Sequence, residues 1–467
     1  MTTTPRTDVS TRSAWLKFGI LASIEFLTVM DASIVNIAIP AIKQQLGFSA
    51  VDITWVVTSY LIPFAGFLLL AGRLADVVGR RRFFIVGTAA FTLASVGCGL
   101  AQEPWQLLAG RGVQGIGAAM VMPAALALIT DVFAAGPARN RALGIFSGVA
   151  GIAAPAGLVL GGVLAATDWH LIFWINVPFG LLVVLVASRV LPSNISRPAP
   201  VDVIGAGAAT GALMLLTWGA AELGSTGWRS PTTIAALAGA GALAATFAFR
   251  QVHARAPLIP GWLLERRNVV VGGAVFVLVG TILLSTFFFV TLFLQQVRGL
   301  NPLATAGVYL PLPLAMLIGA QLAPRFIGSL GVRTTLGAGL AVQAAALAGW
   351  ALTSSASGSL VTSFLLAATP WAFGLGLSVV SSFVVGTSGV DGSAAGVASG
   401  LATTAYQGGG AVGLSIVAVI ADTASHRAGN AGLDTLTATL DGHRTALWTL
   451  TGLALLGVAL TRAIPED

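Results

Sequence analysis

Residues 268–297 contain no Asp, Glu, Lys, Arg or His. A run of about 20 mainly apolar residues crosses the hydrocarbon core of a bilayer as a helix, and this chain offers such runs repeatedly. In hydrocarbon each peptide group must find its partner within its own segment, so these runs commit the chain to α-helices. Of its 467 residues 56% are hydrophobic and 9% are charged, against roughly 25% charged in an ordinary soluble domain. The fold class is therefore all-α integral membrane. Gly is abundant at 57 residues but aperiodic, which suits helices in close contact and not collagen or a low-complexity linker.

Polar and Gly/Pro-rich interruptions divide the chain into fourteen expected spans, the first beginning near Trp15. The expected organisation is a cytoplasmic N-terminal tail (1–14), a six-helix bundle (15–191), two inserted helices (203–250), a cytoplasmic linker (251–267) and a second six-helix bundle (268–462). The polar N-terminus and the length of the first apolar run do not read as a cleavable signal peptide. With the N-terminus inside, 18 of the 24 Lys and Arg residues fall on the cytoplasmic side and 5 outside, with Arg111 left in a span. That asymmetry fits an even number of spans with both termini cytoplasmic, and the expected location is the cell inner (plasma) membrane. It also accounts for the net charge of +7 as topology, so no nucleic-acid partner is expected. The lone Cys98 excludes an intrachain disulfide and a cysteine metal cluster, and no metal site is expected.

The loop "GRLADVVGRRR" from Gly72 recurs as "PRFIGSLGVRT" from Pro324, at an offset of 252, with Gly328 where the first copy has Asp76. Six helices that recur after two inserted ones resemble the parallel two-half layout of many transporters. Four segments together resemble the major facilitator superfamily, and within it the drug:proton antiporters with fourteen spans. They are that loop, "RGVQGIGAAMVMP" in the fourth span, "GIFSGVAGIAAPAGLVLGGVL" in the fifth, and "MDASIVNIAIP" in the first, supported by "IFWINVPFG" and "AGVASGLATTAYQGGGAVG". The resemblance implies a major facilitator fold. It also implies that Gly72, Asp76, Gly79 and Arg80 form a cytoplasmic gate, and that Gly157, Gly161 and Pro155 shape a kinked, closely packed fifth helix. One departure is Leu158, where the family commonly has Pro.

The first span also carries two carboxylates, Glu25 and Asp31. At about 1.5 Å per residue, Asp31 lies roughly 13 Å from the outer end of its helix and Arg111 roughly 9 Å from the outer end of the fourth. A lone charge at that depth is unfavourable, so Asp31 and Arg111 are expected to pair. Glu25 is about 9 Å deeper and about 120° around the helix. No basic residue is expected beside it, and desolvation disfavours a charged carboxylate, which makes Glu25 the better reversible proton carrier. A permanently protonated Glu25 is the rival reading. Thr28 lies between the two acids and is expected to connect them, directly or through water.

Aromatic and amide side chains in the spans suit planar amphipathic ligands. Thr28, Asn36, Tyr60, Gln114, Phe288, Trp371, Tyr406 and Gln407 are the expected substrate-binding residues, with Phe287 and Phe289 nearby. The four histidines, His170, His253, His426 and His443, are expected at interfaces or in loops, and residues 421–443 form an expected external loop. Without a nucleophile triad or a phosphate-binding loop, neither an enzyme nor an ATP-driven pump is expected. The leading expectation is proton-coupled efflux of amphipathic small molecules, cationic ones included, by a monomer, with no cofactor and the proton gradient as energy source. Asp31, Glu25 and Arg111 would couple protons to cargo. A dedicated exporter of one endogenous metabolite or antibiotic, and a non-transporting membrane sensor or scaffold, are the alternatives.

Overall fold

The computed structural model describes residues 7–49, 52–133, 137–192, 202–254, 257–259, 261–387 and 395–464. Among them every regular element is helical. The long helices are α1 (Thr7–Leu46), α2 (Trp55–Val78), α3 (Arg80–Gly99), α4 (Pro104–Val132), α5 (Pro137–Ala165), α6 (Asn176–Val190), α7 (Val203–Thr226), α8 (Pro231–His253), α9 (Arg267–Leu292), α10 (Pro311–Leu330), α11 (Val332–Thr353), α12 (Leu366–Thr387), α13 (Ala395–Asn430) and α14 (Thr435–Thr461). Among the described residues twelve helical runs are long and apolar enough to cross a membrane, and two further apolar runs, Asp52–Leu68 and Ala156–Ala165, are shorter.

Local chemistry sets the helix ends. Asp202 and Asp434 accept the backbone N–H groups of Gly205 and Thr437 at the starts of α7 and α14, satisfying donors that a helix start leaves open. Pro104 and Pro231 stand in first turns, where no N–H is needed. The turn between α2 and α3 closes at Gly79 (φ 102°), and the turn between α10 and α11 at Gly331 (φ 82°). Only glycine takes such angles readily, so the repeat seen in the sequence recurs as one turn geometry.

Several boundaries differ from the expected ones. The first helix starts at Thr7, inside the expected tail, and runs through Pro40 to Leu46. Loss of apolar character ends contact with lipid but does not break the helix hydrogen bonds, which the polar flanks continue. For the same reason α13 reaches Asn430 and α14 begins at Thr435, so the expected loop 421–443 reduces to a short turn at Gly432 (φ 90°). His443 accordingly lies within α14 and is buried, not in a loop. The expected linker is also anchored: Leu258, Ile259 and Leu263 are buried with Leu70, Ala206 and Val269.

Helix α4 packs between α2 and α3, α1 lies along α5, and α3 meets α6; later in the chain α12 packs between α10 and α11, α9 lies along α13, and α11 meets α14. Helices α7 and α8 pack on each other, and α7 also touches α2 and α13. The α1–α5 contact is backbone-close. A Cβ added at Gly157 would stand 2.6 Å from the Met30 carbonyl oxygen, and one at Gly161 would stand 2.8 Å from that of Ile34. Gly72 is different, because a Cβ there would meet Pro123 at 3.8 Å, an ordinary contact. Among the described residues Gly72 therefore makes no close helix approach in this conformation.

The α7–α8 pair is clipped at one end, where Arg250 donates to Asp202 Oδ1 from Nη2 at 2.8 Å and from Nε at 3.1 Å. The Arg250 bonds hold the Asp202 carboxyl below its ordinary value of 3.8, assisted by the Gly205 N–H and opposed by burial. A carboxyl lowered on folding adds stability that is present above its unfolded value and lost as pH falls through the folded one. Asp202→Asn should therefore remove an acid-sensitive part of the protection at this end of α7, read by amide hydrogen exchange at acidic and neutral pH. Gly157→Ala should lower stability by about 1–3 kcal/mol through overpacking, while Gly72→Ala should leave unfolding in detergent unchanged.

Candidate functional site

Asp31 of α1 and Arg111 of α4 meet in the interior, with their side chains 0% and 1% exposed and Arg111 Nη1 2.6 Å from Asp31 Oδ2. The other carboxylate oxygen, Oδ1, accepts from Asn176 Nδ2 at 2.5 Å and from Gln114 Nε2 at 3.3 Å. Arg111 also donates from Nη1 to Gln114 Oε1 at 2.8 Å and from Nε to the Val56 carbonyl at 3.1 Å. Its guanidinium lies over the Tyr60 ring, 4.3 Å from the centroid. Gln114 continues the network by donating to Ser95 Oγ at 2.8 Å. Five helices thus contribute: α1, α2, α3, α4 and α6. Desolvating two charges is offset only when their remaining hydrogen-bonding capacity is met, and three donors meet that of Asp31.

Sequence geometry brings these groups together. Residues 111 and 114 are one turn apart on α4, so both project to the same face. Gly115, beside them, has its missing Cβ at the Tyr60 carbonyl oxygen, and this allows α4 to settle onto α2 with Arg111 above the Tyr60 ring. Asn176 opens α6, where Ile175 and Val177 flank it within an apolar stretch. It is the polar residue in "IFWINVPFG" that could have been singled out from its surroundings. Ser95 carries no comparable signal, being one of several small polar residues in α3.

Glu25 is 4% exposed, and among the described residues its carboxyl has no ion pair or side-chain hydrogen bond. Thr28 makes no direct bridge between the acids among the described residues. Its hydroxyl donates at 3.1 Å to the backbone carbonyl of Glu25, because a threonine on a helix readily bonds the preceding turn. The residue between the two levels is Tyr60, whose ring carries Arg111 and whose hydroxyl is 3.5 Å from the Thr28 carbonyl.

The other expected residues are dispersed. Asn36 donates to the Ala32 and Ser33 carbonyls of its own helix. Trp371 is buried edge-on to Phe287 at 5.6 Å, Tyr406 is edge-on to Phe276 at 6.3 Å, and Gln407 is half-buried on α13. Phe288 is buried and lines a cavity with Lys43 and His443. None of these residues hydrogen-bonds or ion-pairs with Asp31 among the described residues. At the expected gate, Arg80 Nη1 pairs with Asp131 Oδ1 at 2.7 Å, joining the start of α3 to the end of α4. Sequence reasoning missed Asp131. The side chains of Asp76 and Pro155 lie outside the described residues.

A family model described as the Major Facilitator Superfamily matches residues 21–414. The cephamycin export protein of Amycolatopsis lactamdurans is 37% identical over 419 residues, covering 88% of this chain and 85% of that protein. The puromycin resistance protein of Streptomyces alboniger is 32% identical over 461 residues, covering 96% and 90%. Among solved structures, a bacterial homolog of the human lysosomal transporter Spinster, in an inward-facing and unoccupied conformation, superposes with a TM-score of 0.69 at 18% identity, covering 97% of this chain and 98% of that one. An auto-inhibited peptide transporter of the POT family gives 0.70 at 15% identity, covering 96% of each. At these identities the structures speak for the fold alone.

Removing one member of a buried pair strands the other. Arg111→Leu should therefore destabilise the protein by about 3–5 kcal/mol. The double variant Asp31→Asn with Arg111→Leu should recover part of that loss, as measured by denaturation of the purified protein.

Proposed function

This chain belongs to the Major Facilitator Superfamily, and we propose that it is a proton-driven exporter of amphipathic small molecules, cations among them, working by alternating access. It is a membrane transporter of the efflux type, and not an enzyme. The observation that carries the proton-coupled reading is the pairing of opposites on one helix: Asp31 in a fully bonded charge pair with Arg111, and Glu25, six residues away, buried with no ion pair or side-chain hydrogen bond among the described residues.

In this reading Glu25 takes up and releases the proton, and the Asp31–Arg111 pair responds to cargo or to the change of state. Neutralising Asp31 would leave Arg111 with the Val56 carbonyl, Gln114 and the Tyr60 ring, so the arginine is not stranded when the pair opens. Tyr60 occupies the space that links the two levels. Close contact of Gly157 and Gly161 with α1 would pass movement of the acid-bearing helix to α5. The Gly79 turn and the Arg80–Asp131 pair, with Gly72 and Asp76, would act as the gate.

The same reading includes fourteen spans, with α2 and α5 crossing beside the twelve longer runs. It divides the chain into two six-helix bundles joined by α7 and α8, and places both termini in the cytoplasm and the protein in the plasma membrane as a monomer. The proton gradient is its energy source, with no cofactor.

A second reading is favoured by the relatives, which are described by single compounds, cephamycin and puromycin. Export dedicated to one metabolite or antibiotic would keep the same coupling groups but accept a narrow cargo. Proteoliposomes with an imposed proton gradient test both: a compound panel separates broad from dedicated export, and flux that persists after the gradient is collapsed overturns proton coupling. With normal expression, Glu25→Gln should abolish proton-driven flux, and an unchanged pH dependence in this variant would remove the carrier role from Glu25.

A further inference from the structure

A cavity of about 180 Å³ lies away from the Asp31 network, between the C-terminal end of α1, the π-helical turn Phe293–Val297 that follows α9, and the facing parts of α13 and α14. His443 of α14 lines it. The imidazole is 4% exposed, and neither Nδ1 nor Nε2 has a hydrogen-bond partner among the described residues. Its ring stacks on Phe293 with centroids 4.8 Å apart and meets Trp350 edge-on at 5.1 Å. A neutral imidazole carries one donor and one acceptor, and leaving either buried and unmet is unfavourable. The π-helical turn is itself a departure from regular helix of the kind found often at functional sites.

The lining defines what would fit. Phe289 and Phe293 supply apolar faces, and a cavity of roughly 150 Å³ is enough to hold benzene, so the space suits a single aromatic ring. Lys43 and Asp422 both line it with opposite charges that compensate each other, so the lining has no net charge to offer an ion. The Asp422 carboxylate is 3.4 Å from His426 Nε2. A neutral ring leaves the Lys43 and Asp422 charges undisturbed, and because both imidazole nitrogens are covered in this structure, a hydroxyl on the ring donates to one or accepts from the other once the imidazole turns from Phe293 toward the cavity.

We propose that this cavity binds a neutral, hydroxyl-bearing aromatic ring, with His443 as its hydrogen-bonding partner. Its place on an export path, as a station on the Lys43 side of the Asp31 network, rests on the efflux reading above; the binding itself does not. Phenol and toluene are matched probes, similar in size and differing in the hydroxyl. The full-length protein in lipid nanodiscs, labelled with ¹⁵N-histidine, has four histidines, and the signals lost in His443→Leu identify this ring. Phenol should shift those signals saturably and bind about fivefold to tenfold more tightly than toluene, the effect of one net hydrogen bond. Phe289→Trp should fill the cavity and abolish the shift while keeping the histidine. Absence of a saturable phenol shift, equal binding of toluene, or full phenol binding in Phe289→Trp would each overturn the proposal. Asp31→Asn should leave phenol binding unchanged. Should Asp31→Asn leave proton-driven flux intact while phenol still binds, the coupling reading fails and the cavity stands.

Discussion

A buried charge in a membrane interior must be answered by another, and the Asp31–Arg111 contact at 2.6 Å is the constraint around which the first half of the chain is arranged. Holding the two groups in contact requires α1 and α4 to approach at a fixed depth, and saturating Asp31 requires Asn176 from α6 as well. Each requirement removes side-chain bulk elsewhere. Gly115 gives α4 its seat on α2, and Gly157 and Gly161 let α5 lie against the backbone of the acid-bearing helix. The abundance of glycine in the sequence thus has a specific use here. Without a strong hydrophobic drive between helices in lipid, close packing and interhelical hydrogen bonds set the geometry.

The second half repeats the plan with different chemistry. In the first, Gln114 of α4 donates to Ser95 of α3 at 2.8 Å; in the second, Gln343 of α11 donates to Ser378 of α12 at 2.9 Å. Both are amide–hydroxyl bonds between neighbouring helices, but a charge pair adjoins only the first among the described residues. Around Phe293, Trp350 and Phe364 the second half builds an aromatic cluster, into which His443 is set. Turn geometry at Gly79 and Gly331 is kept, while the acid at position 76 is replaced by Gly328. The buried charge pair thus lies on one side of the repeat, and the aromatic cluster around His443 on the other.

Much of this arrangement is legible in the amino-acid sequence. Spans follow from hydropathy because lipid leaves the backbone no alternative to a helix. The depth of Asp31 and Arg111 follows from rise per residue, and their contact from the penalty on a lone charge. Other features are illegible there for physical reasons. Where α1, α13 and α14 end is set by backbone hydrogen bonding in water, so apolar windows misplace the loop at 421–443 and, with it, His443. The Thr28 hydroxyl has a partner within its own helix, which competes with any bridge between the acids. Asn176 lies 145 residues from Asp31, and nothing local announces a contact over that distance. The aromatic residues can be named as cavity candidates, but the faces of separate helices are brought together by packing that a single sequence does not reveal.

The bonding around Arg111 bears on how such a pair can take part in a cycle. A buried ion pair held by one contact is a poor switch, since separating it strands a charge in low dielectric. Arg111 instead has the Val56 carbonyl, the Gln114 amide and the Tyr60 face, and none of the three depends on the charge of Asp31. Asp31 in turn has Asn176 and Gln114, which bond an ionised carboxylate and also leave an oxygen able to carry a proton. The energy difference between the joined and separated pair is thereby narrowed, while each partner stays fixed in position. Glu25 is buried and has no such hydrogen bonds among the described residues. The two acids of α1 thus stand in opposite settings, one fully hydrogen-bonded and the other buried without such bonds among the described residues.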